Sequence, residues 1–267
     1  MKIFDTHSHY ADNKYDEDRL LLFNKMFNEG VSDITLIGAS EKESEAVVTL
    51  SSFYKNEINI PKLYYTIGVH PDEIINEVPT SSKGVRHLEK LKLLANGSVG
   101  IGEIGLDYYG EGKDDKLKLH QKEWFIAYLE LAKELKLPIV VHSRDACKDT
   151  LDIIKEYGKD LSGVIHCFAY EKEVAKEYVD MGYYIGIGGV VTFKNGRKTK
   201  EVVSYIPIDK IVTETDSPWL SPTPHRGERN ESTYIKYVIE EIANIKNIEI
   251  EKVANIVYEN AWIFQLL

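Results

Sequence analysis

The chain has 267 residues, 43% hydrophobic and 28% charged, which excludes a disordered polypeptide and fits a globular protein with a sizeable core. Thirty-three basic against 43 acidic side chains leave a formal charge of −10, which disfavours long-range attraction to nucleic acid or to an anionic membrane, so a phosphate substrate must be drawn in locally. No window approaches the roughly 20 apolar residues of a membrane span, and Cys147 and Cys167 are too few for a disulfide framework, so the expected compartment is the reducing cytoplasm.

In chain order, eight short β-branched runs read as strands: Ile3–Asp5, Ile34–Gly38, Tyr65–Val69, Val99–Glu103, Ile139–His142, Val164–Cys167, Tyr184–Gly188 and Ile211–Glu214. The first is reached at once, without the apolar stretch of a signal peptide. Six or seven amphipathic helices separate the runs, clearest over Leu117–Leu135, where Trp124, Tyr128, Leu131 and Leu135 recur at three or four. Gly30, Gly158 and Gly182 stand near helix ends, where a left-handed terminal residue favours glycine. Parallel strands alternating with helices predict an α/β fold, a (β/α)8 TIM barrel spanning 1–267 as a single domain. Such a fold completes its core without a partner, so a monomer is expected. The longest irregular piece, Asp216–Glu231, carries three prolines and follows the eighth strand, the position at which barrel loops build active sites.

His7 and His9, two apart on an extended backbone, point to the same side and suit bidentate capture of a cation; the alternative is a pair of exposed loop histidines. Glu103, His142, His166 and Asp216 stand at the carboxyl ends of further strands. One histidine after a strand is commonly a satisfied core residue. Ligand-type residues at five strand ends are harder to assign to packing, because a barrel gathers those ends into one mouth. Four histidines and two carboxylates exceed the ligands of a single zinc, so two ions roughly 3.5–4 Å apart are expected, with Glu103 as the bridge. These ligand types accept Zn2+, Mn2+, Fe2+ or Ni2+.

Neighbouring residues have competing readings. Arg144 either contacts a phosphate or pairs with Asp145 or Asp107. His70 is expected to line the pocket without binding metal, and Arg226 and Asn230 either contact substrate or fix the long loop. Gly100, Gly102 and Gly105, just before Asp107 and Tyr108, would let the backbone approach the metals. Glu214 either orients a histidine or forms a buried ion pair, and alternation turns Cys167 away from His166 into packing. Tyr10, Tyr108, Tyr109 and Phe168 either stack on bases or pack the barrel mouth.

Phe4–His9, Gly68–Pro71, Gly102–Asp107, Pro138–Arg144, His166–Phe168 and Thr213–Leu220 together resemble the TatD-type metal-dependent deoxyribonucleases, a branch of the amidohydrolase-like barrels, across nearly the whole chain. The resemblance implies a TIM barrel with metal ligands at His7, His9, Glu103, His142, His166 and Asp216. It further implies Mg2+-, Mn2+- or Zn2+-dependent hydrolysis of DNA, often 3′ to 5′ on single strands. One position departs: the family usually has proline where this chain has Ser232, a residue able to serve a helix first turn, so little functional effect is expected.

The expected chemistry is attack on a phosphodiester by water activated by the two ions, with Asp216 accepting or relaying its proton and Arg144 steadying the phosphoryl oxygens. One competitor is an amidohydrolase or deacylase, for example on aminoacyl-tRNA; Glu103 at the position where many amidohydrolases use a modified lysine points away from it. Another is a non-catalytic binding protein on the same fold.

Overall fold

The computed structural model describes residues 1–110 and 114–264. Eight strands, β1 (Ile3–Ser8), β2 (Val31–Ile37), β3 (Lys62–Ile67), β4 (Gly100–Asp107), β5 (Ile139–Arg144), β6 (Gly163–Ile165), β7 (Tyr184–Ile187) and β8 (Ile211–Thr213), form one sheet in the order β1 to β8. A parallel bridge from Ser8 to Ser217, flanked by Asp216 N–H to His7 O (3.0 Å) and His9 N–H to Ser217 O (2.9 Å), links β1 to the segment after β8. Helices α1 (Arg19–Asn28), α2 (Glu41–Phe53), α3 (Ser82–Leu94), α4 (Asp115–Leu135), α5 (Cys147–Ile153), α6 (Lys172–Asp180), α7 (Arg197–Tyr205) and α8 (Ile235–Lys246) follow the strands in turn, and α9 (Ile250–Asn260) follows α8. The fold is a (β/α)8 TIM barrel.

Packing groups the residues into two compact units: 1–36, 50–64 and 167–262 in the first, principally 37–49 and 65–166 in the second. In the first, β1 pairs with β2 (Phe4 beside Asp33) and β7 with β8 (Ile185 beside Ile211). Tyr10 packs at 4.7 Å from Tyr15 and 5.4 Å from Phe23, all fully buried. Helix α8 buries Ile235, Val238, Ile239 and Ile242, a stripe at three- and four-residue spacing, and ends on left-handed Asn247. In the second unit β4 pairs with β3 (Thr66 beside Gly100) and β5 (Gly105 beside His142), and β5 pairs with β6 (Val140 beside Val164). Helix α4 starts where the Asp114 carboxylate accepts from Lys116 N and Leu117 N, and it buries Trp124, Phe125, Tyr128 and Leu131. Each such side chain contributes about 1.5–3 kcal/mol on leaving water.

Several expected boundaries shift. β4 runs four residues past Glu103 to Asp107, because its glycines continue the ladder with β5 instead of ending it. His142 accordingly lies inside β5. β8 stops at Thr213, and Asp216 lies beyond it with φ +57°; β6 stops at Ile165, and Cys167 has φ +45°, so strand alternation does not govern its side chain. Gly30 and Gly182 adopt the left-handed conformation expected of them, whereas Gly158 ends a π-helical turn without it. Nine α-helices are present among the described residues, the excess over the expected number coming from short ones such as α5, too brief to show a period. No helix among the described residues is long and apolar enough to cross a membrane.

Candidate metal centre

The first cluster belongs to the first unit. His7 near the end of β1 and His9 just beyond it direct Nε2 atoms to within 3.2 Å of each other, and Asp216 Oδ1 lies 3.8 Å from the former and 3.4 Å from the latter. A cation with ligand bonds of about 2.0–2.1 Å in tetrahedral geometry spaces its ligands about 3.3 Å apart, so these three edges fit one face of such a shell. Both rings are buried. Beneath them lies Asp5, 0% exposed, which accepts from His7 N (3.2 Å), Thr215 N (3.1 Å), Thr215 Oγ1 (2.7 Å) and Ser232 Oγ (2.6 Å). Burial pushes the Asp5 carboxyl up to about 7 against the pull of these donors. Ser232 also donates its N–H to Tyr10 Oη at 2.8 Å. Proline could make neither Ser232 contact; Ser232 takes part in this brace while opening the short helical turn Ser232–Tyr234.

The second cluster belongs to the second unit. Alternation along β4 brings Glu103, Gly105 and Asp107 to one face, and the register sets His142 beside Gly105. A Cβ on Gly105 would stand 1.9 Å from His142 O, so this glycine is required for close contact between β4 and β5. The His142 ring is held between two buried carboxylates, with Nδ1 2.8 Å from Glu103 Oε1 and Nε2 3.1 Å from Asp107 Oδ2. Burial favours the neutral ring, yet the bonds to Asp107 and Glu103 outweigh it and lift the imidazole to about 9. Asp107, raised by burial, is brought below the usual carboxylate range by His142 and the Tyr109 N–H. His166 Nε2 lies 3.8 Å from Glu103 Oε1, and the His70 ring meets His142 edge-on at 4.2 Å. Glu103, His142 and His166 each offer a ligand atom within 4.8 Å of the others, as do His70, Asp107 and His142. Mixed imidazole and carboxylate donors at this spacing suit a divalent ion.

The six expected ligands thus fall into two groups of three: His7, His9 and Asp216, and Glu103, His142 and His166. Asp107 lies outside the expected ligand set, and its alternation with Glu103 and Gly105 is the sequence signal that places it on the same face. His70, expected only to line the pocket, joins a possible ligand group. Arg144 is exposed, and its guanidinium stacks 3.8 Å from the Tyr109 ring centroid; among the described residues neither Asp145 nor Asp107 pairs with it. Arg226 stacks on Phe193 at 3.7 Å and donates to Ser221 O at 2.7 Å, the geometry of a loop brace. Asn230 is fully buried, with Nδ2 donating to Thr215 O and Trp219 O and Oδ1 accepting from Glu231 N. Its geometry favours fixing the loop over touching substrate. Glu214 Oε1 accepts from Cys167 N at 2.6 Å and orders the turn after β6. Of the four aromatics considered for stacking, Tyr10, Tyr108 and Phe168 are buried; Tyr109 is 57% exposed.

A family model described as TatD related DNase matches residues 4–264. The chain belongs to this family of metal-dependent hydrolases. It is 39% identical over 260 residues, 97% of each chain, to an uncharacterized metal-dependent hydrolase, YabD, of Bacillus subtilis strain 168. It is 37% identical over 199 residues, 73% of this chain and 71% of the other, to the uncharacterized metal-dependent hydrolase YcfH of Escherichia coli K12. Among solved structures, the TatD homologue YJJV of Escherichia coli K12 superposes with a TM-score of 0.85 at 25% identity, over 98% of this chain and 97% of that one. An uncharacterized amidohydrolase of Saccharomyces cerevisiae shares the fold, with a TM-score of 0.82 at 19% identity over 97% of this chain and 98% of its own.

Proposed function

We propose that the protein hydrolyses phosphodiester bonds of DNA, removing nucleotides 3′ to 5′ from single strands, with one divalent ion (Zn2+, Mg2+ or Mn2+) at each cluster. The observation that carries this reading is the pair of three-donor groups, His7, His9, Asp216 and Glu103, His142, His166, in a chain of the TatD-related family. A divalent ion held by such donors supplies Lewis-acid stabilisation of phosphoryl charge and lowers the pKa of water. Asp216, the most exposed carboxylate of the first cluster at 19%, takes the proton of the attacking water. Glu103 holds its ion and fixes His142 through Nδ1. Arg144, exposed and free of an acidic partner among the described residues, offers its guanidinium to the phosphoryl oxygens. Local cations reconcile an anionic substrate with a formal charge of −10.

The test offers DNA oligonucleotides, carboxyl esters and aminoacyl-tRNA side by side to the metal-loaded protein and to its His142→Ala and Asp216→Ala variants. Metal-dependent cleavage of DNA alone, lost in both variants, is expected. Turnover confined to the acyl substrates, or full DNA cleavage by a variant stripped of metal, contradicts the reading.

A further inference from the structure

We propose that a cavity of about 560 Å3 beside the second cluster is a subsite for the nucleobase at the strand end, with Tyr109 as its stacking platform and Arg144 as the brace behind that platform. The inference rests on the DNA-hydrolase reading above and adds the part of the nucleotide that this region grips.

The cavity is lined by Asp72, Asn76, Tyr109, Leu117, His120 and Gln121, among others, and its volume lies within the roughly 300–1,000 Å3 usual for small-molecule sites. Two of its walls are tied to the metal centre. Tyr109 N donates to Asp107 Oδ1 at 2.8 Å, and Asp72 N donates to His70 Nδ1 at 3.2 Å. A group in the cavity therefore sits next to Asp107 and His70, which both meet the His142 ring of the second cluster.

The lining selects an uncharged, flat group. Among the described residues it contains no lysine or arginine, and His120 donates Nε2–H to Ile75 O at 2.8 Å. Gln121 commits Oε1 to Asp107 N and Nε2 to Asp107 O, both at 2.9 Å. With the Asp72 carboxylate on the wall, a second phosphate is disfavoured, while the amino and ring N–H groups of a base find an acceptor. Tyr109 is 57% exposed, so its ring is accessible to a ligand in the cavity. Arg144 occupies one face of that ring, 3.8 Å from the centroid, which fixes the ring and leaves its other face for a second planar group. Stacking of this kind tolerates every base, as an enzyme that digests a strand regardless of sequence requires.

The experiment measures, by fluorescence anisotropy on the metal-loaded protein, binding of a short labelled single-stranded oligodeoxynucleotide with an ordinary 3′-terminal nucleotide. A second oligonucleotide carries an abasic 3′-terminal nucleotide. Tyr109→Ala is expected to weaken binding of the first by roughly 5- to 150-fold, the loss of one base–aromatic stack, and to leave the second unchanged. Tyr109→Phe should retain wild-type discrimination. Equal effects on the two oligonucleotides, or none on either, overturn the subsite. Tyr109-dependent preference for the base without any DNA cleavage leaves the subsite standing and removes the nuclease reading. Cleavage without that preference does the reverse.

Discussion

The two clusters are built from the same residue types but by different means. His7, His9 and Asp216 are brought together by a loop after β8 that returns to β1, and Asp5 secures the arrangement from below. Glu103, Asp107 and His142 meet because adjacent strands lie in register, and the histidine is already engaged at both ring nitrogens. The first is a triad of converging donors fixed by long-range hydrogen bonds; the second is a local ladder in which two carboxylates hold the His142 ring. Distant contacts position Asp216, to which the proposed reaction gives the proton, while neighbouring strands position Glu103, Asp107 and His142.

The largest effect should separate these roles. Asp216→Ala is expected to reduce the rate of DNA hydrolysis about 10²- to 10⁴-fold, as loss of a proton acceptor does. His166→Ala should lower metal content by one ion per chain and leave His7, His9 and Asp216 loaded; elemental analysis beside single-turnover rates checks both. Next, Asp5→Ala strands four buried donors and should cost about 3 kcal/mol of stability in urea unfolding of the metal-free protein. A cost below about 1 kcal/mol would deny the first cluster its special brace.

Asp107→Ala leaves His142 with one carboxylate and is expected to weaken metal binding about 10- to 100-fold by calorimetric titration, the usual penalty for losing a group that orients a ligand. Ser232→Pro, which installs the residue usual in the family, removes the Ser232 hydroxyl and N–H hydrogen bonds to Asp5 and Tyr10 and should destabilise by about 1–3 kcal/mol in the same urea assay. The smallest effect concerns the loop of the first cluster. Its Arg229 hydrogen-bonds Asp18 and holds that carboxyl below its ordinary value, so the contribution is present at neutral pH and disappears as pH falls below about 4. The pair is more than a third exposed, so no more than about 0.5 kcal/mol is expected. Asp18→Asn should flatten that part of the stability profile, measured by unfolding midpoints from neutral to acid pH.

Eight strands were readable because each is a short β-branched run between helical segments, and five of them lead into ligand-type side chains. The ends of the runs were less readable. Gly102 and Gly105 lack the side chains that would keep β5 away, and the ladder with β5 carries β4 on to Asp107. Nothing local marks Asp107 apart from its alternation with Glu103. The brace around Asp5 was hidden for another reason: Asp5, Thr215 and Ser232 are partners across more than 200 residues, and no periodicity reports such a contact. Asn230 and Arg226 were ambiguous because polar loop residues look alike until their partners, Thr215 O and Ser221 O, are known.

The most direct measurement is digestion of 3′- and 5′-end-labelled single-stranded DNA by metal-stripped protein, before and after addition of Mg2+, Mn2+ or Zn2+, beside the His9→Ala and His166→Ala variants. The account predicts no cleavage without metal, stepwise shortening from the 3′ end with it, and loss of that activity when either cluster is broken. Cleavage that survives metal removal, or that persists undiminished in both variants, would contradict it.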